Sequence, residues 1–118
     1  MAAAKLTETR VVITGTLIEH KPLRYTPAGV PVSEGRLRHE SEMIEAGHPR
    51  KVECEVNVVA LGTTAKWLQD AGPGKAVRLE GFLALKSKNS RQPMLHVERI
   101  EFLEGNENGS TVFQEEGR

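Results

Sequence analysis

The sequence predicts an all-β domain: a five-stranded Greek-key barrel with one short helix between its third and fourth strands. The first strand contains Gly15, and glycine lets a strand bend at a barrel corner where a side chain would clash. Apolar residues alternate with a period of two in several later segments. Only residues 63–74 have the composition of a helix. Together these features give the order β1, β2, β3, helix, β4, β5.

The first two strands are predicted at residues 10–19 and 31–40, on either side of a Pro-rich basic turn. Apolar residues occupy both phases of the first strand, Val11, Ile13 and Leu17 on one and Val12 and Ile18 on the other. We therefore expect this strand to be partly buried on both sides. The polar segment 41–49, which contains glycine and proline, predicts a loop.

The remaining strands are predicted at residues 51–61, 76–86 and 94–103. Cys54 falls on the apolar phase of the third strand and is predicted to be a small core residue. Gly81 marks a second bend, in the fourth strand. The apolar phase of the fifth strand shifts from odd to even positions, which predicts a β-bulge near Glu98 and Arg99.

The helix candidate, TTAKWLQDAGPG, is about two turns long. Thr63 or Thr64 can cap its first turn, and the Gly-Pro pair ends it. Trp67 and Leu68 are neighbours within it. We expect this pair to close one end of the barrel rather than to contact a ligand.

The 118-residue chain is predicted to form one domain over residues 1–104, followed by a disordered acidic tail over residues 105–118. The whole chain has 16 basic and 16 acidic side chains. Four of the acids lie after residue 103 against one arginine, which leaves 15 basic and 12 acidic side chains in residues 1–103. The domain is therefore mildly basic, and the tail is acidic.

Several classes of protein and site are excluded by the same inspection. The single cysteine excludes an internal disulfide, and His39, His48 and Cys54 lack metal-ligand spacing. No P-loop, GxSxG or dinucleotide-binding motif is present, so we expect no catalytic residues, no metal and no cofactor. No apolar run approaches a membrane span or a signal peptide, so a cytoplasmic protein without membrane contact is expected.

The predicted element order is that of the oligonucleotide-binding (OB) fold, which binds over its second and third strands between the loops joining strands 1 to 2 and 4 to 5. The strand 4 to 5 loop carries Lys86, Lys88 and Arg91, a cationic set that can follow the phosphates of a single strand. The alternative interpretation is a solvated hairpin tip. The remaining candidate DNA-binding residues are Arg24, Tyr25, Arg36, Arg38, His39, Arg50 and Lys51. Tyr25 can stack on a base or pack over a nearby proline.

With these residues placed, the chain resembles the primosomal replication protein N family, the replication-restart relatives of bacterial single-stranded DNA-binding protein. The resemblance rests on the segments VVITGTL, PLRYTPAGVP, AGHPRKVECEV, AVRLEGFLALKSKN and MLHVERIEFL. It implies a cytoplasmic homodimer without catalytic activity that binds single-stranded DNA and helps a restart helicase assemble the primosome. DNA contact is carried to Lys86, Lys88 and Arg91, and also to Arg24, His39 and Arg50. Better-known members have an aromatic residue near His48 and Glu53, which implies a different DNA affinity here.

The sequence therefore predicts a non-enzymatic single-stranded DNA-binding accessory protein of DNA replication restart. Dimerisation is also expected from the two apolar phases of the first strand. Two alternatives stay open. One is a protein-interaction adaptor for the helicase with weak DNA binding, which the scarce aromatic residues and neutral net charge favour. The other is a general single-stranded DNA-binding protein.

Overall fold

The computed structural model describes residues 8–103 and contains six strands and one helix. The elements are β1 (Val11–His20), β2 (Arg24–Tyr25), β3 (Pro31–Glu45), β4 (His48–Leu61), α1 (Thr63–Ala71), β5 (Ala76–Ala84) and β6 (Met94–Phe102). The five long strands are the five predicted strands in order, and β2 is a two-residue addition. The boundary at residue 104 and the acidic tail lie outside the described residues.

The barrel closes because β1 has two different partners along its length. Its first part pairs with β5, from Val11 opposite Gly81 to Thr16 opposite Ala76. From Thr16 onward it pairs instead with β3. The other neighbours are β5 with β6, β6 with β4 in parallel, and β4 with β3. The change of partner follows directly after Gly15, where a bend was predicted and where a Cβ atom would collide with the carbonyl oxygen of Arg38.

The core fills this barrel from every long strand, and α1 covers one end. Its fully buried side chains include Leu17, Leu37, Val58, Leu79, Leu95 and Ile100. Leu68 of α1 is also fully buried, and the ring of Trp67 lies 5.8 Å from that of Phe102. The predicted role of this pair in closing the barrel is confirmed. The predicted threonine cap is wrong: Gly62 occupies the N-cap with φ 75°, and no side chain caps the helix.

The predicted loop at residues 41–49 is wrong, because β3 and β4 stay paired there as a long hairpin. The pairing continues to Glu45 opposite His48, and Ala46 and Gly47 form the two-residue turn with positive φ angles. Every side chain from residue 42 to residue 51 is exposed. This part of the hairpin extends beyond the barrel, so neither face is buried and no apolar alternation marks it.

Two finer predictions have opposite outcomes. The bulge near Glu98 and Arg99 is confirmed, because Glu80 pairs with Arg99 and Gly81 pairs with Val97, which leaves Glu98 without an opposite residue. The prediction that Cys54 is a core residue is wrong, since its side chain is exposed. Its alternation with Val56 and Val58 is real, but the barrel core ends at Val56.

No helix within the described range is long and apolar enough to cross a membrane.

Candidate nucleic-acid interface

The outer face of β3 and β4 carries charged side chains in register. Arg38 stands opposite Glu55, and Glu40 stands opposite Glu53. Directly opposed residues of an antiparallel pair point to the same face, so these side chains are neighbours. Arg36 and Lys51 belong to the same face by the alternation of each strand. Arg36, Arg38 and Lys51 thus share one surface.

Each of these three cations has a carboxylate partner. Arg36 pairs with Glu19 and, at 3.6 Å, with Glu55. Arg38 donates to Glu40 at 2.9 Å and lies 3.6 Å from Glu55. The hydrogen bond to Glu40, together with the charges of Glu40, Glu53 and Glu55, raises the pKa of Arg38. Lys51 lies 3.2 Å from Glu53. The face is an alternating charge network rather than a basic patch.

His39 and Arg50 point to the opposite face of the same hairpin. The Nδ1 atom of His39 lies 2.7 Å from the carbonyl oxygen of Thr14, and Nε2 lies 2.9 Å from the hydroxyl oxygen of Ser41. The guanidinium of Arg50 pairs with Glu45 near the hairpin turn. These two predicted residues therefore do not join Arg36 and Arg38 on one surface.

Arg24 and Lys86 meet at a buried carboxylate that sequence analysis did not single out. Arg24 donates to Glu34 at 2.7 Å, Lys86 reaches it at 3.0 Å, and Lys21 lies 3.6 Å away. The Glu34 side chain is only 6% exposed. Burial alone would raise its pKa, but hydrogen bonds from Arg24 and Lys86 and the charges of Lys86 and Lys21 lower the pKa below its usual value. Glu34 is therefore held as a carboxylate at neutral pH.

The period of two along β3 could have revealed Glu34. Counting back two residues from Arg36 places Glu34 on the same outer face. Lys21 lies in the basic turn after β1, and its backbone N–H donates to the carbonyl oxygen of Glu34 at 2.8 Å. No sequence pattern shows that this turn folds back onto β3, so the convergence of Lys21 on Glu34 could not be predicted.

A groove of about 390 Å³ lies beside Glu34. Its walls include Lys21, Arg36 and Asn57 on the barrel side and Lys86, Arg91 and Gln92 on the β5–β6 loop. Tyr25 of β2 is 58% exposed. The groove therefore lies between the two loops that the predicted fold uses for binding.

Two cations of the β5–β6 loop have no ion pair with a described carboxylate. Lys88 and Arg91 are exposed, and no carboxylate of the described residues lies within salt-bridge distance of either. The loop is held in a turn by the Ser90 N–H, which donates to the carbonyl oxygen of Ser87 at 3.0 Å. The Ser87 N–H in turn donates to the Ser90 hydroxyl at 3.2 Å. Both cations are thus displayed on an ordered turn beside the groove.

Comparison with known proteins assigns this chain to a family. Residues 9–99 match the model of a family described as "another single-strand binding protein family". The replication restart protein PriB of Bordetella pertussis is 41% identical over 93 residues, which cover 79% of this chain and 87% of that protein. PriB of Nitrosomonas europaea is 37% identical over 94 residues, which cover 80% of this chain and 87% of that protein.

Comparison with solved structures leads to the same family. The priB protein of Ralstonia solanacearum superposes with a TM-score of 0.74 at 32% identity, covering 81% of this chain and 98% of that one. The single-stranded DNA binding protein of Thermus aquaticus gives 0.67 at 27% identity, covering 83% of this chain and 51% of that one. These neighbours and the closed five-stranded barrel confirm the predicted OB fold. The chain therefore belongs to this single-strand binding protein family and, within it, to the replication restart proteins named PriB.

Proposed function

We propose that this protein is a non-enzymatic accessory factor of replication restart, which binds single-stranded DNA in the cytoplasm and stimulates or recruits the restart helicase of the primosome. One observation is the main support for DNA binding. Lys88 and Arg91 are exposed cations without a carboxylate partner among the described residues, on a loop beside the groove of an OB fold. The names of the relatives support the setting in replication restart.

Binding begins with phosphates at Lys88 and Arg91, because these cations need not leave an internal carboxylate first. The DNA strand then follows the groove beside β3 and β4, and Tyr25 of the neighbouring strand β2 offers an exposed ring on which a base can stack. Ion pairs with phosphate release counterions, so the affinity falls as salt rises. Few other aromatic rings are available, and charge rather than stacking supplies most of the affinity.

Reversing both loop charges, Lys88→Glu and Arg91→Glu, is expected to weaken DNA binding at least about tenfold at low salt. The plot of log affinity against log salt is expected to flatten by about 1.4, since each phosphate contact to single strands contributes about 0.7. Fluorescence anisotropy of a labelled oligonucleotide across a salt series measures both quantities. The matched control reverses Lys66 and Lys75, which are exposed, do not line the groove and change the net charge equally. Equal losses in both double variants would contradict a loop contact.

A helicase adaptor with weak DNA binding is the second candidate, and the paired arginines favour it. Arg36 and Arg38 face four carboxylates within 4.0 Å, namely Glu19, Glu40, Glu53 and Glu55. The loop variant separates the two functions. An adaptor keeps its stimulation of helicase activity when DNA binding is lost, whereas a DNA-delivering factor loses both together.

We also propose that the protein works as a homodimer through β1. Val12 is 46% exposed and Ile18 is 36% exposed on this strand, although its other phase packs on the core. The variant Val12→Asp with Ile18→Asp is expected to be a folded monomer, because both side chains lie outside the core. Light scattering after size exclusion should give about 13.0 kDa for it and twice that for the parent. The control, Ile44→Asp with Leu61→Asp, alters apolar residues elsewhere that are at least as exposed and should stay dimeric. A monomeric parent contradicts the proposal.

A further inference from the structure

We infer that Glu34 limits the affinity of this protein for single-stranded DNA, because its carboxylate occupies the place between Lys21, Arg24 and Lys86 that a backbone phosphate would otherwise take. The inference rests on the proposed DNA-binding function. It assigns to an acidic residue on the floor of the groove the role of an internal competitor for phosphate.

The geometry of the cluster is that of an occupied anion site. Three cations from three separate segments converge on one carboxylate: Lys21 follows β1, Arg24 lies in β2, and Lys86 follows β5. Arg24 and Lys86 make charge-assisted hydrogen bonds to it at 2.7 and 3.2 Å. Carboxylate and phosphate oxygens accept such bonds in the same way. An anion that binds these cations therefore has to replace Glu34 or share them with it.

The accessibility of the cluster shows how a phosphate can compete. The side chains of Lys21, Arg24 and Lys86 are 65%, 53% and 46% exposed, whereas that of Glu34 is 6% exposed. The cations can therefore turn toward the groove, but Glu34, fixed within the paired strand β3, cannot leave. Each cation given to DNA leaves the buried carboxylate with one partner fewer, and an unpaired buried charge is costly. That cost makes the free energy of DNA binding less favourable.

If Glu34 instead positions the three cations for DNA, the predicted change in affinity has the opposite sign. If its carboxylate served mainly to hold the three cations together for DNA, neutralising it would let them repel one another and would weaken binding. If it competes with phosphate, neutralising it strengthens binding and adds counterion release. The direction of the change in affinity therefore decides between the two roles.

The test compares Glu34→Gln with Glu98→Gln in the oligonucleotide anisotropy assay across a salt series. Both changes remove one negative charge and keep the side-chain size, but Glu98 is exposed on the β6 bulge and does not line the groove. Glu34→Gln is expected to bind about tenfold more tightly at low salt. Its salt dependence should steepen by about 0.7 for each cation released to phosphate. Glu98→Gln is expected to stay within twofold of the parent. Equal affinities of the two variants, or weaker binding by Glu34→Gln, would overturn the inference.

A double-variant comparison guards against a change in folding as the cause. Lys86→Gln is expected to cost little affinity in the parent, where Glu34 holds Lys86, and about threefold more in the Glu34→Gln background, where Lys86 is free for phosphate. Additive effects would overturn the inference. The results separate failure of this inference from failure of the proposed function. If the parent binds DNA through Lys88 and Arg91 but Glu34→Gln has no effect, only the competitor role of Glu34 is refuted. Absence of DNA binding by the parent and by Glu34→Gln refutes both.

Discussion

Gly81→Ala is expected to lower the free energy of unfolding by about 3 kcal/mol, the upper end of what overpacking a well-packed site costs. A Cβ atom at Gly81 would overlap the carbonyl oxygen of His96 and would stand 3.1 Å from the Cα of Val97. Both are backbone atoms of β6 beside the bulge, so no side-chain rotation relieves the contact. A domain of this size has roughly 5–15 kcal/mol of stability in all. The loss is therefore a large part of the total.

Urea unfolding followed by the fluorescence of the single tryptophan, Trp67, measures this loss. Gly29→Ala is the matched control: it adds the same methyl group at φ 87°, where no atom lies within 4 Å. Its cost is limited to the left-handed backbone conformation, about 1 kcal/mol. If Gly81→Ala proves no worse than Gly29→Ala, the close approach of β5 to β6 at the bulge is refuted.

Leu68→Ala is the second large effect and is expected to cost about 3 kcal/mol. Leu68 is fully buried between α1 and the barrel, and its removal leaves a cavity beneath the helix that covers the barrel end. The same urea titration measures the change. Lys66→Ala alters an exposed residue of the same helix and should change stability by less than about 0.5 kcal/mol. A small effect at Leu68 would mean that α1 does not close the core.

The fold was predictable from sequence because each barrel strand buries one face. Alternation located β4, β5 and β6, Gly15 located the corner, and the shift of apolar phase located the bulge at Glu98. The same rule failed where burial ends. Residues 41–45 and 48–49 are strand without a buried face, and Cys54 continues the apolar alternation past the rim of the barrel.

The candidate site was less predictable, because charge partners come from distant segments. Sequence placed Arg36 and Arg38 on one strand, but their neutralisation by Glu53 and Glu55 depends on the register between β3 and β4. That register is set by the Ala46–Gly47 turn, which the sequence had assigned to a loop. Likewise, Lys86 and Glu34 are 52 residues apart and meet only because the barrel closes.

The change of partner along β1 also constrains the order of synthesis and folding. The β3–β4 hairpin joins segments that are adjacent in the chain, so it can form as soon as residue 61 is available. The first half of β1, in contrast, pairs with residues such as Gly81, which is 70 residues later than its partner Val11. The first half of β1 therefore stays unpaired with β5 until β5 has been synthesised. Closure of the barrel is accordingly a late step in the folding of the nascent chain.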